Sequence, residues 1–84
     1  MNLHYTKLKF RKMKSRWGSC NSRKEITLNK ELLRLDKKLI DYVVVHELAH
    51  LMYMNHSKEF HTLVDFYLPL SKNYRKELKN IKLI

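Results

Sequence analysis

The chain has 84 residues, a single cysteine and a formal net charge of +10 at pH 7. This length predicts one domain over residues 1–84, with a core small enough that a bound metal would matter for its stability. One cysteine excludes an intramolecular disulfide bond, and no apolar stretch is long enough to span a membrane or placed to act as a signal peptide. We therefore expect a soluble, cytoplasmic protein.

Two short strands are the first predicted elements. They lie within residues 12–20 and 25–29, on either side of a turn rich in Asn, Ser and basic residues. Gly18 is the only glycine, and it marks either a strand irregularity near an edge or a close approach of the backbone to another group. Asn29 is predicted to cap a short helix over residues 30–35.

A buried helix over residues 39–54 carries the most informative motif in the chain. No glycine or proline interrupts it, and its apolar residues occur on nearly every side. His46 and His50 are four residues apart, so their imidazoles point the same way and can share one zinc ion, with Glu47 between them as a base. The alternative is a helix in which these side chains pair with each other or with neighbouring backbone.

A hydrolytic zinc site needs a third protein ligand, and His56 is the best candidate. At helical pitch His56 would lie on the wrong face, so the chain must turn after His50 to bring it back. Asn55 suits that turn because asparagine tolerates the left-handed conformation. Ser57 is then predicted to cap the next helix, with Glu59 in its first turn.

Other third ligands remain open at this point. His61 follows Phe60 at the edge of an apolar helical stripe, a position that favours a partly exposed helix residue over a ligand. Three acidic side chains, Glu59, Asp65 and Glu77, are further alternatives, although none has a spacing that recommends it. His4 is expected at the surface.

The rest of the chain is predicted to be helical. Pro69 ends the helix that begins after Ser57, and residues 73–79 form a last, polar helix. Cys20 and Trp17 are interpreted as a small buried residue and a core anchor.

The predicted chemistry is metal-activated hydrolysis of a peptide or protein substrate. A zinc ion at this site would lower the pKa of a bound water towards ~7, and Glu47 would accept its proton as the water attacks a peptide carbonyl. Glu47 would then pass the proton to the leaving amine. Arg16, Tyr53 or a backbone amide could stabilise the charge that develops on the carbonyl oxygen.

The positive charge supports an alternative, a nucleic-acid-associated module with a structural metal site or with DNA-linked proteolysis. Eight basic residues precede the first acid, and a second cluster lies near the C-terminus. The two groups are Lys7, Lys9, Arg11, Lys12, Lys14, Arg16, Arg23 and Lys24, and Lys72, Arg75, Lys76, Lys79 and Lys82. Such density favours non-specific association with polyanions and does not by itself define a site. The oligomeric state is left open.

Several motifs together resemble the YgjP-like metallopeptidase domain, a family described as metal-dependent hydrolases and similar to the SprT and Spartan zinc proteases. They are Lys14-Ser15-Arg16-Trp17-Gly18-Ser19-Cys20, Ile26-Thr27-Leu28-Asn29, the segment Asp41 to Leu51, Asn55-His56-Ser57 and Phe60. The motifs occur in the family's order over about residues 13–74.

This resemblance implies zinc bound by His46, His50 and His56, with Glu47 catalytic. It also implies an α+β fold, a small minigluzincin-like zincin core in which a short antiparallel sheet packs on the buried HExxH helix, with further C-terminal helices.

The chain departs from the family pattern at two positions. It has Lys24 where the family usually has glycine in the hairpin, and His61 where the family commonly has tryptophan. Family members are usually longer, so we expect the chain to be a catalytic core or a piece of a longer protein.

Overall fold

A computed structural model describes residues 4–81 of the chain, so the prediction about Lys82 lies outside the described residues. The predicted α+β class is confirmed, because a small sheet is followed by helices. The elements are β1 (Lys7–Arg11), β2 (Gly18–Cys20), β3 (Glu25–Asn29), a short 3-10 helix (Lys30–Arg34), α1 (Lys37–Ala49), α2 (Lys58–Tyr67) and α3 (Ser71–Lys79).

The sheet has three strands in the order β1-β3-β2. β2 and β3 form the predicted antiparallel hairpin, although β2 occupies only the last part of the expected strand. β1 was not predicted, and its parallel pairing with β3 makes the sheet mixed. Its alternation of basic and apolar residues fits a strand, but dense positive charge obscured that pattern. Leu8 and Phe10 align with the buried Ile26 and Leu28 and yet remain exposed, because β1 is an outer strand.

Lys24 lies at a position of the hairpin turn that suits glycine, the residue that the family usually has there. Asn21 organises the turn, since its side-chain oxygen accepts hydrogen bonds from the backbone N–H groups of Arg23 (2.9 Å) and Glu25 (3.1 Å). Lys24 has φ of 63°, in the left-handed region that glycine adopts without steric cost.

We expect Lys24→Gly to stabilise the protein by about 1 kcal/mol, because glycine relieves the left-handed strain at this turn. Urea unfolding of the metal-free protein measures the change. Arg23→Gly is the matched control, since it removes the same charge from the same turn at a residue without positive φ, and it should not stabilise. A stabilisation of equal size in both variants would assign the effect to charge and contradict this explanation.

α1 lies at the centre of the fold, in contact with β2, β3, α2 and α3. Its buried apolar side chains pack with the inner face of β3 and with one face each of α2 and α3. The buried core comprises Ile26, Leu28, Leu32, Leu39, Tyr42, Val43, Ala49, Phe60, Val64 and Leu78. The prediction of a buried helix holds for this side of α1, whereas Ile40, Val44 and Leu48 on the opposite side remain partly exposed.

α1 ends at Ala49, so the prediction that this helix continues to residue 54 was wrong. The hydrogen bonding changes to a 3-10 pattern after the helix. The N–H groups of Leu51 and Met52 donate to the carbonyl oxygens three residues earlier, at 3.0 and 3.1 Å. The left-handed turn expected at Asn55 was also wrong, since Lys24 is the only non-glycine residue with positive φ within residues 4–81. The early helix end provides the reversal that was assigned to Asn55.

The predicted helix boundaries further along are largely confirmed. Ser57 caps α2, as its hydroxyl oxygen accepts a hydrogen bond from the N–H of Phe60 at 3.3 Å, and the helix ends before Pro69. Asn29 caps the 3-10 helix through the N–H of Glu31 at 3.0 Å. α3 begins at Ser71, two residues earlier than the predicted start at 73. Within residues 4–81 no helix has the length and apolar character needed to cross a bilayer.

Candidate metal centre

Three histidines converge where α1 ends. His46 and His50 lie on the last turn and C-cap of α1, and His56 lies on the short segment that leads into α2. One nitrogen from each ring lies within 4.8 Å of the others, a grouping that could hold a metal ion. The Nε2 atoms of His46 and His56 are 3.2 Å apart. The structure therefore brings together the three side chains that the sequence nominated.

The outward ring nitrogens of two of these histidines have oxygen neighbours. Nδ1 of His50 lies 3.0 Å from the carbonyl oxygen of Tyr53, which can only accept, so Nδ1 carries the proton and Nε2 has a free lone pair. Nδ1 of His46 lies 3.5 Å from the hydroxyl of Tyr42, one helical turn earlier. Metal-binding histidines commonly have such partners, which orient the ring and set its tautomer.

The protonation of these rings also suits a cation. Burial, together with the positive charge that the neighbouring His50 and His56 can carry, lowers the pKa of His46 to about 4. Burial likewise lowers the pKa of His50. Both rings are thus neutral near pH 7 and offer lone pairs, which metal binding requires. The donor set fits a metal ion that prefers imidazole nitrogen.

Glu47 lies beside the cluster with only 5% of its surface exposed. Burial raises the pKa of its carboxyl group to about 7, and the positive charge of Arg16 opposes that shift. Its carboxyl group can therefore both take and release a proton near neutral pH.

Gly18 on β2 makes the close approach that was one of its two sequence interpretations. A Cβ at this position would lie 3.0 Å from both Cγ and Oε2 of Glu47, and 3.2 Å from a methyl carbon of Val43. Gly18 does not have positive φ, so it supplies space and not conformational freedom. The absence of a side chain on β2 is therefore what allows the Glu47 carboxyl group to occupy its position.

We expect Gly18→Ala to lower peptide hydrolysis by about tenfold to 100-fold, because the added methyl group displaces the Glu47 carboxyl group. The metal content should remain unchanged, since no histidine is touched. Measurements of kcat and of bound metal on the same preparation test both statements. Ser22→Ala, in the exposed turn after the same strand, is the control and should keep full activity. Unchanged kcat in Gly18→Ala would show that Glu47 tolerates the displacement.

The other nominated ligands lie outside the histidine cluster. The His61 ring centre is 6.2 Å from that of His56, and the side chain is partly exposed on α2, as the favoured interpretation expected. Asp65 accepts a short hydrogen bond from the hydroxyl of Ser71. Glu59 and Glu77 are exposed, and among residues 4–81 only the three clustered histidines form a group that could hold a metal.

A cleft of about 380 Å³ opens over the cluster. It is lined by Arg16, Gly18, Ser19, Cys20, His46, Glu47, His50, Met54 and His56. Of the charge-stabilising side chains proposed from sequence, Arg16 lies in this cleft. The Tyr53 side chain lines a separate groove with Leu63 and Phe66. Cys20 is half-buried at the cleft, and burial raises the pKa of its thiol, with a further rise from Glu47.

Two residues near the site were missed in the sequence. Tyr42 is four residues before His46 on α1, so helical spacing could have found it. Arg75 on α3 lines two pockets that also include His46, but in the sequence it was only one member of a basic cluster.

Comparisons with known proteins agree with this geometry. Residues 1–81 match the family model described as YgjP-like, metallopeptidase domain. The chain belongs to the YgjP-like metallopeptidase domain family. Among solved structures, this YgjP-like domain is similar to the metallopeptidase zymogen of Pyrococcus abyssi abylysin, with a TM-score of 0.78 and 27% sequence identity. The match covers 86% of this chain and 73% of the abylysin chain. No curated protein matches the chain significantly.

The family and the fold together identify the YgjP-like domain as a metal-dependent peptidase. The zincin-like architecture that was expected from the resemblance is therefore confirmed, with the histidine cluster at the end of the central helix.

Proposed function

We propose that the chain is a zinc-dependent peptidase in which His46, His50 and His56 hold the ion and Glu47 is the general base. The observation that carries this proposal is the convergence of three ligand nitrogens within 4.8 Å beside a buried carboxyl group. Three imidazoles with room for a further ligand are typical of catalytic zinc sites, whereas structural sites use four protein ligands.

Glu47 has the properties of a proton carrier. A zinc ion bound to the histidines would supply an acidified water and polarise the substrate carbonyl. The Glu47 carboxylate takes a proton at one of its oxygens and then releases it to the leaving amine. In the metal-free protein the pKa of this carboxyl group is about 7, so the group can change its protonation state near neutral pH.

β2 supports an extended peptide as the substrate. It is an outer strand of the sheet, and its residues Gly18, Ser19 and Cys20 line the cleft with the histidines. The backbone of an outer strand can pair with an incoming extended segment, which would lie directly over Glu47. The alternative of a nucleic-acid-associated module stays a prediction, and it requires salt-sensitive binding to DNA or RNA.

Removal and return of the metal test the proposal. Protein treated with a chelator should lose hydrolysis of an unstructured protein substrate, and addition of one equivalent of zinc should restore it. Magnesium at the same concentration is the control, since a three-imidazole site does not suit it. Two results would contradict the proposed function. One is hydrolysis that continues after complete removal of the metal, and the other is the absence of hydrolysis in protein that has bound zinc.

A further inference from the structure

We propose that the peptidase selects peptides with a carboxylate close to the scissile bond, held between the guanidinium groups of Arg16 and Arg75. This inference rests on the proposed function and adds a substrate class to it. The carboxylate would belong either to an acidic side chain or to the end of the substrate chain.

The proposed subsite is a pocket of about 240 Å³ next to the histidine cluster. It is lined by Arg16, Trp17, Gly18, Tyr42, Val43, His46, Glu47, Arg75 and Leu78. His46, Glu47 and Gly18 also line the cleft over the histidines, so the two spaces adjoin. A peptide whose carbonyl lies at Glu47 can therefore place a neighbouring side chain in this pocket.

The main chain at Arg16 is held in position by hydrogen bonds, and its side chain is exposed. The side-chain amide of Asn29, which is completely buried, donates hydrogen bonds to the carbonyl oxygens of Arg16 (2.7 Å) and Met13 (2.9 Å). The backbone N–H of Asn29 donates to the carbonyl of Trp17 at 2.9 Å. The main chain of the loop before β2 is thus anchored at the residue that would contact the substrate. Less conformational entropy of this loop is then lost when the substrate binds.

Within residues 4–81 neither arginine has an acidic oxygen within 4.0 Å, and the charge of Arg16 acts on the Glu47 carboxyl group only from beyond that distance. Between residues 4 and 81 the ion pair of Arg34 with Glu31 is the only one within 4.0 Å. Unpaired cations are common in a chain with 18 basic and 8 acidic residues. What distinguishes Arg16 and Arg75 is that both line one pocket, from opposite ends of the chain.

The surroundings of the pocket favour an anion. Glu47 is the only acid that lines it, and that carboxyl group is reserved for proton transfer in the proposed mechanism. Arg75 also lines a second pocket, together with Lys58 and Lys72. Asp65 is the one acid that lines this second pocket, and it accepts a hydrogen bond from Ser71. Arg16 and Arg75 are themselves exposed, and Trp17, Val43 and Leu78 form the apolar part of the pocket wall. A planar guanidinium can form a charge-assisted, bidentate bond to a carboxylate there.

Binding to the subsite can be measured without turnover. Trp17 is the only tryptophan in the chain and lines the pocket, so its fluorescence reports occupancy. The protein is the zinc-loaded Glu47→Gln variant, which does not consume the peptide. The probes are tryptophan-free peptides in which one glutamate is moved along a sequence of otherwise uncharged side chains, with matched glutamine peptides. Each is made with a free and an amidated C-terminus.

We expect one glutamate position, or the free C-terminus, to tighten binding by about tenfold over its neutral match. Arg16→Gln and Arg75→Gln should each remove most of this preference. Arg11→Gln is the matched control, because it removes the same charge from exposed strand β1 and should keep the preference. A gain from internal glutamate identifies an acidic side chain, and a gain from the free terminus identifies a chain end.

Equal binding of the glutamate and glutamine peptides, with no difference between the free and the amidated C-terminus, would overturn the inference. So would an equal loss in Arg11→Gln, which would reduce the effect to overall charge. Displacement of the peptides by an oligonucleotide through Arg16 and Arg75 would assign the pocket to phosphate and also overturn it. If the protein prefers carboxylate peptides but the wild-type chain hydrolyses none of them, only the proposed function is contradicted. If it hydrolyses peptides without this preference, only the present inference is contradicted.

Discussion

We expect Glu47→Gln to lower kcat for peptide hydrolysis by about 1,000-fold and to leave the bound zinc in place. Glutamine has the shape of glutamate but cannot accept a proton from water, so the variant loses the proposed base without opening a cavity. Steady-state kinetics and elemental analysis on the same sample measure both effects. Asp41→Asn, an exposed residue on α1, is the control and should keep full activity. Full activity in Glu47→Gln would remove Glu47 from the mechanism.

The same variant also reports on the buried carboxyl group when no metal is bound. Burial raises the pKa of Glu47 to about 7 in the folded protein, from 4.5 as the ordinary value. The stability contributed by protonated Glu47 is therefore present at low pH and lost as the pH rises through about 7. Glutamine carries no charge to bury, so we expect it to stabilise the metal-free protein by about 2 kcal/mol more at pH 8 than at pH 5.

Urea unfolding at the two pH values, in the presence of a chelator, measures this difference. His46 has the opposite dependence, because burial lowers its pKa to about 4 and its contribution is lost as the pH falls from 6.5 towards that value. Both proteins contain His46, so its effect largely cancels in the comparison. If the difference in the free energy of unfolding between Glu47→Gln and the wild-type protein is the same at pH 5 and pH 8, the Glu47 carboxyl group is well solvated in the folded protein.

His56→Ala is expected to abolish both zinc retention and hydrolysis. Loss of an outer hydrogen-bond partner of a metal ligand commonly costs 10–100-fold in affinity, so loss of a ligand itself should cost more than about 100-fold. The variant leaves two imidazoles on α1, which is one ligand fewer than catalytic zinc sites usually have. Elemental analysis after dialysis, with competition against a chelator of known affinity, measures the change.

His61→Ala is the matched control for this substitution. His61 is the adjacent histidine, with its ring centre 6.2 Å from that of His56, and it does not belong to the cluster. It should keep near-stoichiometric zinc and most of its activity. Zinc loss in His61→Ala with retention in His56→Ala would reverse the assignment and make His61 the third ligand.

The features that could be predicted from the sequence depend on neighbouring residues. Helical spacing placed His46, Glu47 and His50 on one face, and local side-chain hydrogen bonds made Ser57 and Asn29 recognisable as helix caps. These interactions span no more than about one helical turn, so periodicity and capping rules describe them well.

Other features were decided by contacts between segments that are far apart in the chain. The end of α1 at Ala49 follows from how the chain reverses towards α2, and not from any residue that breaks helices. β1 became a strand because it pairs with β3, despite its dense positive charge. Neither outcome can be calculated from local propensity, since packing against distant elements outweighs it.

The sequence by itself determined the α+β class and the central helix with its two histidines and glutamate. It also indicated His56 as the third metal ligand. Only the tertiary structure decided that Gly18 lies against Glu47 and that Arg16 and Arg75 share one pocket. The physical reason is the range of the interactions. Hydrogen bonds within a helix or turn join residues close in sequence, whereas the surroundings of a buried carboxyl group are built by strands and helices that meet only when the whole chain packs.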